Sequence, residues 1–548
     1  MRVTLRQPQI AGDAIVAVRM TRLGDCPMIA RPAATLLLCG LALLTPETLA
    51  QDAFSVSAPA LPGWDRELAA SRALRFVSEL ISINSTNAQQ PDPDAERANG
   101  NELAVARWFT VEMSEAFGEG AVVEVLAPFT ADGGTAGHER RTWNGRFQID
   151  ILESAPGRAN LIARLIAGAP TSRPVLVMGH MDVVGADPAV WATPPFEATI
   201  INGLLHGRGA IDCKGPLACE LTAFLALADR RESLTRDVIM LATAGEEGGP
   251  SVGIDWVLEH HADLLHDPEF ALNEGGRVRL VDGRVQSINI QTTEKLAYNV
   301  KATASGPSGH GSVPLPDNAL AALSRALAAV HHWRAPASLD ETTRTFFARS
   351  AELEADPLMA EAMLRVANPA ASGLLWEAAV EALSTEPPFN AILRAGQSLT
   401  MIDGGFRTNV IPSSGTANFN LRILPQDDVT ALVAAMNVAG NELSVHFTLD
   451  GEPRSAPPAS PLDTDLYLAM EQAGLEMVPD VAVIPFLSTG ATDGAALRAL
   501  GIPTYGILPI PLVMDDELRM HGDNERAPVA GLGWASEYIY RVLSAVTH

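Results

Sequence analysis

Short, continuously apolar runs that alternate with helical segments are the feature of this sequence that most constrains its fold. Between about residues 65 and 257, the runs NLIARLIAG, RPVLVMGH and DVIMLATAG have strand length, and GPLACELTAFLALADRR has the apolar spacing of a helix. Strands that are apolar on both faces are typical of a parallel sheet covered by helices on both sides. The sequence therefore predicts an α/β domain with a mostly parallel sheet.

The pattern changes at about residue 294 and returns at about residue 453. Between them lie the predicted strand KLAYNVKATASG, the helix NALAALSRALAAVHHW, the strands QSLTMIDGGFRTNVI and GTANFNLRILP, a helix and the strand LSVHFTLDG. This β-α-β-β-α-β order predicts a smaller ferredoxin-like α+β unit with its own helical insertion. We predict one α/β domain in two segments, 51–293 and 453–548, interrupted by a smaller inserted domain over 294–452.

The sequence pattern of residues 1–50 predicts an export signal with an extended n-region. From Met28, an arginine precedes the apolar stretch 33–44 and a small-residue ending at Ala50, and this stretch is too short to span a bilayer. We expect cleavage near Ala50–Gln51 and a secreted or periplasmic protein. Whether the working start is Met1 or Met28 stays open.

Charge and cysteine content restrict the partners and the means of stabilisation. The formal net charge of −26 argues against nucleic acid or an anionic membrane surface as the main partner. No segment beyond the signal approaches transmembrane length, so we expect no stable membrane insertion. Only Cys213 and Cys219 remain after removal of the signal, which argues against a disulfide framework.

Ligand-type side chains close three of the predicted strands. His180 and Asp182 follow one strand, Glu246 and Glu247 follow the next, and Glu274 closes FALNEGG. Ligands of open α/β sheets bind at the carboxyl ends of the strands. A lone histidine is more often an ordinary loop residue, and an acidic residue beside glycine is often a turn or cap residue. Three strand ends with the same feature favour a site.

Two further segments add ligands of the same kind. Asp212 in HGRGAIDCKG precedes a helix, where a cap is the ordinary alternative, and His521 lies in RMHGDNER. Histidine and carboxylate ligands suit zinc or a similar divalent ion. The carboxylates exceed the needs of one tetrahedral ion, whereas two ions ~3.5–4 Å apart that share one carboxylate would use them all.

The adjacent pair Glu246 and Glu247 fits such a site. Successive side chains at a strand end point to opposite sides, so one glutamate can bind metal while the other faces the substrate and accepts a proton. Nearby cations would remove the repulsion between them. The alternative is a solvated acidic turn.

Nine segments in order resemble the co-catalytic zinc peptidase family that contains carboxypeptidase S, aminoacylase, glutamate carboxypeptidase and succinyl-diaminopimelate desuccinylase. They span about residues 65–545 and are GHMDVV, LHGRGAIDCKG, TAGEEGG, LNEGG, GPSGHGSVP, GGFRTNVIP, NLRILP, STGATDGAALRALGIPTYGILP and MHGDNER. The NEGG form and the helical insertion are most similar to the carboxypeptidase S branch. The resemblance implies two Zn²⁺ ions per subunit.

The resemblance also implies which residues hold these ions. Asp212 would bridge both. His180 and Glu274 would complete one metal site, and Glu247 and His521 would complete the other.

Three residues take other catalytic roles by the same resemblance. Asp182 would hydrogen-bond His180 and fix its tautomer. Glu246 would be the general base that passes a proton to the leaving nitrogen. His310, on the inserted domain, would help to stabilise the tetrahedral oxyanion, often across a dimer interface. Its ordinary alternative is a turn histidine.

Substrate binding is implied at three further positions. Arg422 matches the arginine that grips a substrate carboxylate, although it could also be a salt-bridging residue on a strand face. Asn409 matches a polar partner in the same region. Gly490 matches a backbone position near the substrate.

The resemblance implies an exported zinc-dependent amidohydrolase that releases an amino acid from a peptide C-terminus or from an N-acyl amino acid. A dipeptidase and a dedicated N-acyl amino acid deacylase stay open as alternatives, and so does a catalytically silent binding protein with the same fold. The substrate would be a small peptide or N-acyl amino acid with a free carboxylate. The resemblance also implies that 51–293 and 453–548 form the catalytic domain and that 294–452 is a lid or dimerisation domain. A homodimer through the inserted domain follows if His310 acts across an interface.

Overall fold

The computed structural model describes residues 54, 56–87, 100–127, 137–248, 250–265 and 267–548, so the predicted export signal lies outside the described residues. The helices, in chain order, are α1 (Arg66–Ser82), α2 (Glu102–Phe117), α3 (Lys214–Ala228), α4 (Ile254–His260), α5 (Ala319–His332), α6 (Glu341–Ser350), α7 (Pro357–Ala367), α8 (Leu374–Leu383), α9 (Pro387–Leu393), α10 (Val429–Gly440), α11 (Asp465–Met477), α12 (Gly494–Ala499), α13 (Met514–Glu517) and α14 (Val529–Thr547). The strands are β1 (Val122–Ala127), β2 (Gly137–Trp143), β3 (Phe147–Ala155), β4 (Arg158–Leu165), β5 (Val175–His180), β6 (Thr199–Ile201), β7 (Leu204–His206), β8 (Val238–Thr243), β9 (Phe270–Val281), β10 (Arg284–Glu294), β11 (Leu296–Ser305), β12 (Gly309–His310), β13 (Gly396–Gly404), β14 (Val410–Ile411), β15 (Ser414–Ile423), β16 (Val445–Asp450), β17 (Ala482–Ser488), β18 (Thr504–Leu512) and β19 (Arg526–Pro528).

A ten-stranded sheet with the order β1-β2-β3-β4-β8-β5-β9-β18-β10-β17 forms the larger part of the fold. Its centre, β8-β5-β9-β18, is parallel. The outer strands β1 to β4 run antiparallel to one another, and β4 joins β8 antiparallel. At the other edge β10 pairs antiparallel with β9 and β18, and parallel with β17. The predicted α/β class is confirmed, with its parallel strands at the centre.

Helices cover both faces of this sheet, as predicted. Along β5, Val175 and Val177 belong to the apolar core shared with α1, α2, α3 and α14. The intervening Leu176 and Met178 belong to a second core with side chains of α4 and α12. Because successive strand residues point to opposite faces, a strand that is apolar throughout must be covered on both sides.

Helix α3 is buried on all sides, whereas the sequence predicts a single apolar face. Every side chain from Lys214 to Leu227 is buried. The C-terminal helix α14 and the helix α1 pack against α3 and cover the side that would otherwise face solvent. A helix that is apolar all round is expected in such a position. The loop just before α3 carries Asp212, so this burial gives the loop a fixed base.

The predicted β-α-β-β-α-β unit is present within residues 296–450. Its sheet has the order β13-β15-β11-β16 with antiparallel neighbours. Helices α5 and α10 pack against it, and α6 to α9 have a small core of their own. The domain boundaries given above stay predictions.

One segment of this unit that the sequence predicts as a single strand forms two strands in the structure. QSLTMIDGGFRTNVI predicts a single strand, but β13 ends at Gly404 and Gly405 turns the chain with a φ of 78°. Positive φ is readily adopted by glycine and rarely by other residues. The end of the segment, Val410–Ile411, forms β14, which pairs with β12 and so brings residues 409–411 beside His310.

No helix in the described part of the chain combines the length and apolar character needed to cross a bilayer.

Candidate metal centre

His180 is the last residue of β5 and is fully buried. Its Nδ1 lies 2.9 Å from the backbone carbonyl oxygen of Asp182 and 3.5 Å from that residue's Oδ1. A carbonyl oxygen only accepts hydrogen bonds, so Nδ1 carries the proton. The hydrogen bond of His180 is therefore with the backbone carbonyl of Asp182, and the carboxylate of Asp182 is the more distant of the two groups.

Asp212 lies between the two histidines. Its Oδ1 is 2.9 Å from Nε2 of His180, and its Oδ2 is 3.0 Å from Nε2 of His521. The cap of helix α3 is Cys213, without a side-chain cap hydrogen bond, and the peptide bond between Asp212 and Cys213 is cis. Asp212 is therefore not a helix cap. Each of its oxygens faces a different imidazole, which is the arrangement a bridging carboxylate requires.

Glu247 and His521 stand on the second side of Asp212. Oε1 of Glu247 is 3.0 Å from Nε2 of His521. His521 lies in the turn after α13 and has a φ of 59°. His521 is half exposed, whereas Glu247 is nearly buried, so this side of the centre faces solvent.

Glu274 reaches the first side of the centre from an unexpected position. The sequence predicts that a strand ends here, but β9 continues to Val281. The parallel pairing of β9 with β5 stops at Leu272, and Gly275 has a φ of 125°. This local distortion leaves Oε2 of Glu274 3.7 Å from Nε2 of His180.

The ligand atoms converge in two groups that share Asp212. His180, Asp212, Cys213 and Glu274 form one group, and Asp212, Glu247 and His521 form the other, with the atoms of each group within 4.8 Å of one another. Cys213 has no predicted role. Burial, together with the charge of Glu274, raises the pKa of the Cys213 thiol well above the ordinary value.

The two glutamates after β8 lie in a short 3-10 turn, Glu246–Gly248. Their backbone N–H groups donate to the two carboxylate oxygens of Asp182, each at 3.1 Å. Nδ2 of Asn87 donates to the same carboxylate at 2.7 Å. Asp182 therefore orients His180 and the glutamate turn together, and the sequence predicts only the first of these contacts.

Burial and neighbouring charges shift the pKa values of the carboxylates and of His521 at this edge of the sheet. Burial, together with the charge of Glu274, raises the pKa of Glu246 well above its ordinary value. Burial also raises the pKa of Glu274. For Asp212, burial alone would raise the pKa, but hydrogen bonds with His180 and His521 outweigh it and hold the pKa well below the ordinary value. Hydrogen bonds with Asp212 and Glu247 raise the pKa of His521 to about 10.

Divalent cations fit this donor set. With its proton on Nδ1, a neutral His180 directs the lone pair of Nε2 at a carboxylate oxygen, and either a second proton or a bound cation removes the repulsion. Within the described residues, the buried Oε1 of Glu247 has no neighbouring donor other than the half-exposed imidazole of His521. Imidazole nitrogens and carboxylate oxygens are ligands that zinc and related divalent ions accept.

His310 and Asn409 meet through the β12–β14 pair. Nδ1 of His310 accepts hydrogen bonds from the backbone N–H and the hydroxyl of Ser312, at 3.1 and 2.7 Å. The carbonyl oxygen of Asn409 accepts the N–H of Gly311 at 2.8 Å. The side chains of His310 and Asn409 are exposed. Because Nδ1 accepts, Nε2 carries the proton and can donate to a substrate oxygen.

Arg422 and Gly490 lie on different elements. Arg422 is in β15, where its Nε donates to Oδ1 of Asn420 at 2.9 Å and leaves the outer guanidinium nitrogens for another partner. Burial lowers its pKa, and the charge of Glu294 opposes that shift. Gly490 is exposed just after β17, and its N–H donates to Oγ of Ser488 at 3.2 Å.

Two buried residues near the centre have no role in the sequence prediction. Glu525 is fully buried and contacts the loop that carries Asp212. Arg208 pairs with Glu525 at 2.7 Å. Both lie in segments that carry the resemblance, but their partners are mostly backbone groups, which a sequence pattern does not reveal.

An α/β fold that gathers two imidazoles and three carboxylates at the carboxyl edge of its sheet defines a hydrolase of the metallopeptidase and amidohydrolase class. Comparison with known families agrees with this class. The family model "Peptidase family M20/M25/M40" matches residues 176–545, which is more than half of the chain, and the protein belongs to this family.

Individual relatives are distant in sequence. The chain is 25% identical over 382 residues to a probable carboxypeptidase S-like 2 of Dictyostelium discoideum, covering 68% of this chain and 71% of the relative. It is 26% identical over 388 residues to the human N-fatty-acyl-amino acid synthase/hydrolase PM20D1, covering 68% and 74%. A solved M20 family metallo-carboxypeptidase of Sulfolobus solfataricus shares the fold, with a TM-score of 0.58, 18% identity and coverage of 86% of this chain and 99% of that one.

Proposed function

We propose that the protein is a zinc-dependent amidohydrolase that cleaves an amide bond beside a free carboxylate. It would release an amino acid from the C-terminus of a small peptide or from an N-acyl amino acid. The observation that carries the proposal is Asp212, whose two carboxylate oxygens lie 2.9 and 3.0 Å from two different histidines. The names of the relatives, a carboxypeptidase S-like protein and an N-fatty-acyl-amino acid hydrolase, agree with both substrate types.

Five residues would hold two zinc ions. Asp212 would serve both, with His180 and Glu274 on one side and Glu247 and His521 on the other. Bound there, the ions would polarise the substrate carbonyl and make water more acidic.

Glu246 would carry the proton through the reaction. Its carboxylate would take a proton from the attacking water and deliver it to the amide nitrogen, so that the C–N bond breaks with a neutral amine as the leaving group. Burial raises its pKa, which favours transfer of the proton from water to this carboxylate.

The inserted unit would supply the substrate contacts. Arg422 keeps its outer guanidinium nitrogens available, and a planar guanidinium binds a carboxylate through two parallel hydrogen bonds. His310 would donate from Nε2 to the developing oxyanion. Closure of the unit on the substrate would bring these groups together. Asn409, in the same unit, would add a polar contact, and Gly490, which lies outside the unit just after β17, would add a backbone contact.

Export and dimerisation complete the proposal. We propose cleavage near Ala50–Gln51, which N-terminal sequencing of the protein recovered outside the cytoplasm would test. We also propose a homodimer through the inserted unit, because His310 would then act across the interface. Light scattering of the purified protein would measure the mass in solution.

A substrate panel tests the activity. C-terminal dipeptides and N-acyl amino acids of increasing acyl length would be incubated with purified protein, chelated protein and zinc-restored protein. The proposal expects turnover that is lost on chelation and regained with zinc. A preference for long acyl chains would favour the N-acyl amino acid substrates over peptides. Turnover that survives complete removal of metal would contradict the proposal.

A further inference from the structure

Glu525 makes an unusually complete set of contacts for a buried carboxylate. It is fully buried and lies four residues after His521. Its Oε1 accepts the backbone N–H groups of Ile211 at 2.7 Å and of Asp212 at 3.1 Å. Its Oε2 accepts the N–H of Gly209 at 3.0 Å. Three N–H groups of the loop before α3 thus point at one side chain.

Arg208 completes this arrangement from inside the same loop. Its Nη1 donates to Oε2 of Glu525 at 2.7 Å, and its Nη2 donates to the carbonyl of Gly522 at 2.9 Å. The guanidinium also lies 5.1 Å from the ring of Trp191. Gly522 directly follows His521. The pair therefore fastens the Asp212 loop to the His521 segment at two points.

We propose that Glu525 is a positioning residue that sets the spacing between Asp212 and His521, two of the ligands of one metal site. This inference rests on the proposed function, because it requires Asp212 and His521 to bind metal. The backbone N–H of Asp212 is held by Glu525, and the side chain of Asp212 faces His521 at 3.0 Å. A closed chain of contacts thus runs from Asp212 through Glu525 and its own segment back to His521.

Substitution of Glu525 by glutamine would disrupt this chain of contacts while keeping a side chain of nearly the same size. The amide has one oxygen and one NH₂ group, so the NH₂ would face either the N–H groups of Ile211 and Asp212 or those of Gly209 and Arg208. Donors would then oppose donors, and the loop would move. The ligands themselves would remain in the sequence, so the effect should be weaker metal binding rather than loss of the ligands.

The test is zinc titration of Glu525→Gln by calorimetry, with Glu537→Gln as the matched control. Glu537 is equally buried and also pairs with arginines, Arg66 and Arg541, but it lies in α14 and contacts neither ligand segment. Partners that orient metal ligands typically contribute 10–100-fold to affinity. We expect Glu525→Gln to bind one of its two equivalents roughly 10–100-fold more weakly. Excess zinc should restore its kcat, and Glu537→Gln should bind zinc like the wild type.

Each outcome decides the matter. Wild-type zinc affinity in Glu525→Gln would overturn the inference while the proposed function stands. Equal losses in both variants would also overturn it, because they would reflect general destabilisation. If the wild type binds no zinc, the proposed function fails and the inference with it. If Glu525→Gln does not fold, Glu525→Asp, whose carboxylate is one methylene short, should lose at least roughly tenfold in affinity; unchanged affinity there would refute the inference.

Discussion

Replacing Glu246 by glutamine separates proton transfer from metal binding. Glu246 is held by its backbone, because its N–H donates to Asp182 at 3.1 Å and its turn follows the buried strand β8. Among the described residues, its side chain has no hydrogen bond or ion pair, whereas the carboxylates of Asp212, Glu247 and Glu274 all lie near imidazole nitrogens. Glutamine has nearly the same shape, so the turn and the ligands should remain in place.

The size of the effect follows from the role. A positioned general base typically contributes about 10²–10⁴-fold to the rate. That range corresponds to about 2.7–5.4 kcal/mol of transition-state free energy at 1.36 kcal/mol per decade. The other carboxylates here face imidazole nitrogens, accept backbone N–H groups or, for Asp493, accept the hydroxyl of Thr243, so none is placed to substitute. We therefore expect kcat to fall by about 10²–10⁴-fold with little change in KM.

Unlike kcat, the free energy of unfolding should not fall in the metal-free Glu246→Gln variant. Burial raises the folded-state pKa of Glu246, so the folded state binds more protons than the unfolded state above the unfolded pKa of about 4.3. The wild type therefore loses stability as pH rises above that value, and the penalty is absent below it. Glutamine cannot ionise, so the metal-free variant should be at least as stable as the wild type at neutral pH.

The assay compares glutamine substitutions at the adjacent residues Glu246 and Glu247. Zinc content, kcat and KM would be measured for the wild type, Glu246→Gln and Glu247→Gln, with thermal unfolding of the chelated proteins from pH 4 to 8. Glu246→Gln should keep two zinc ions and lose turnover, whereas Glu247→Gln should lose zinc affinity. A zinc-loaded Glu246→Gln with kcat within tenfold of the wild type would refute the reasoning.

Three further substitutions test other contacts. Asp182→Asn should weaken zinc binding roughly 10–100-fold, because its NH₂ would oppose the N–H groups it now accepts, and calorimetric titration measures this. Arg422→Lys should raise KM roughly tenfold or more for substrates with a free carboxylate but not for their amidated forms, because lysine lacks the planar guanidinium. Steady-state kinetics on both forms measures this, and an equal KM change for both would contradict carboxylate binding by Arg422. Burial lowers the pKa of Lys295 to about 8 from 10.5, so the unfolded state binds more protons between these values. The wild type should therefore gain about 3 kcal/mol of stability relative to Lys295→Met as pH rises from 8 to 10.5, and denaturant unfolding at both pH values would expose the absence of such a gain.

The sequence predicts the centre of the sheet well because its strands must be apolar on both faces. The strands β1 and β2 are not predicted, because they lack this apolar pattern. β1 is largely exposed, and β2 is GHERRTW, whose polar side chains are only partly buried. Likewise, the pattern on α3 predicts one buried face, because nothing local reveals that α14 covers the other.

At the site, the ligand-type residues can be found in the sequence because the chemistry restricts their types and their places at strand ends. Their supports cannot be found in this way. Gly275, whose φ of 125° distorts β9 beside Glu274, is one such support, and Glu525, which accepts backbone N–H groups more than 300 residues earlier in the chain, is another. Backbone partners leave no residue pattern at the loop that they fix.

Anomalous X-ray diffraction from crystals of the zinc-loaded protein tests the central claim most directly. The account predicts two zinc peaks, one on each side of the Asp212 carboxylate, with His180 and Glu274 at one ion and Glu247 and His521 at the other. The expected separation is ~3.5–4 Å, as in other two-metal sites. Data collected at the zinc edge from a fully loaded crystal with no peak beside Asp212 would contradict the account.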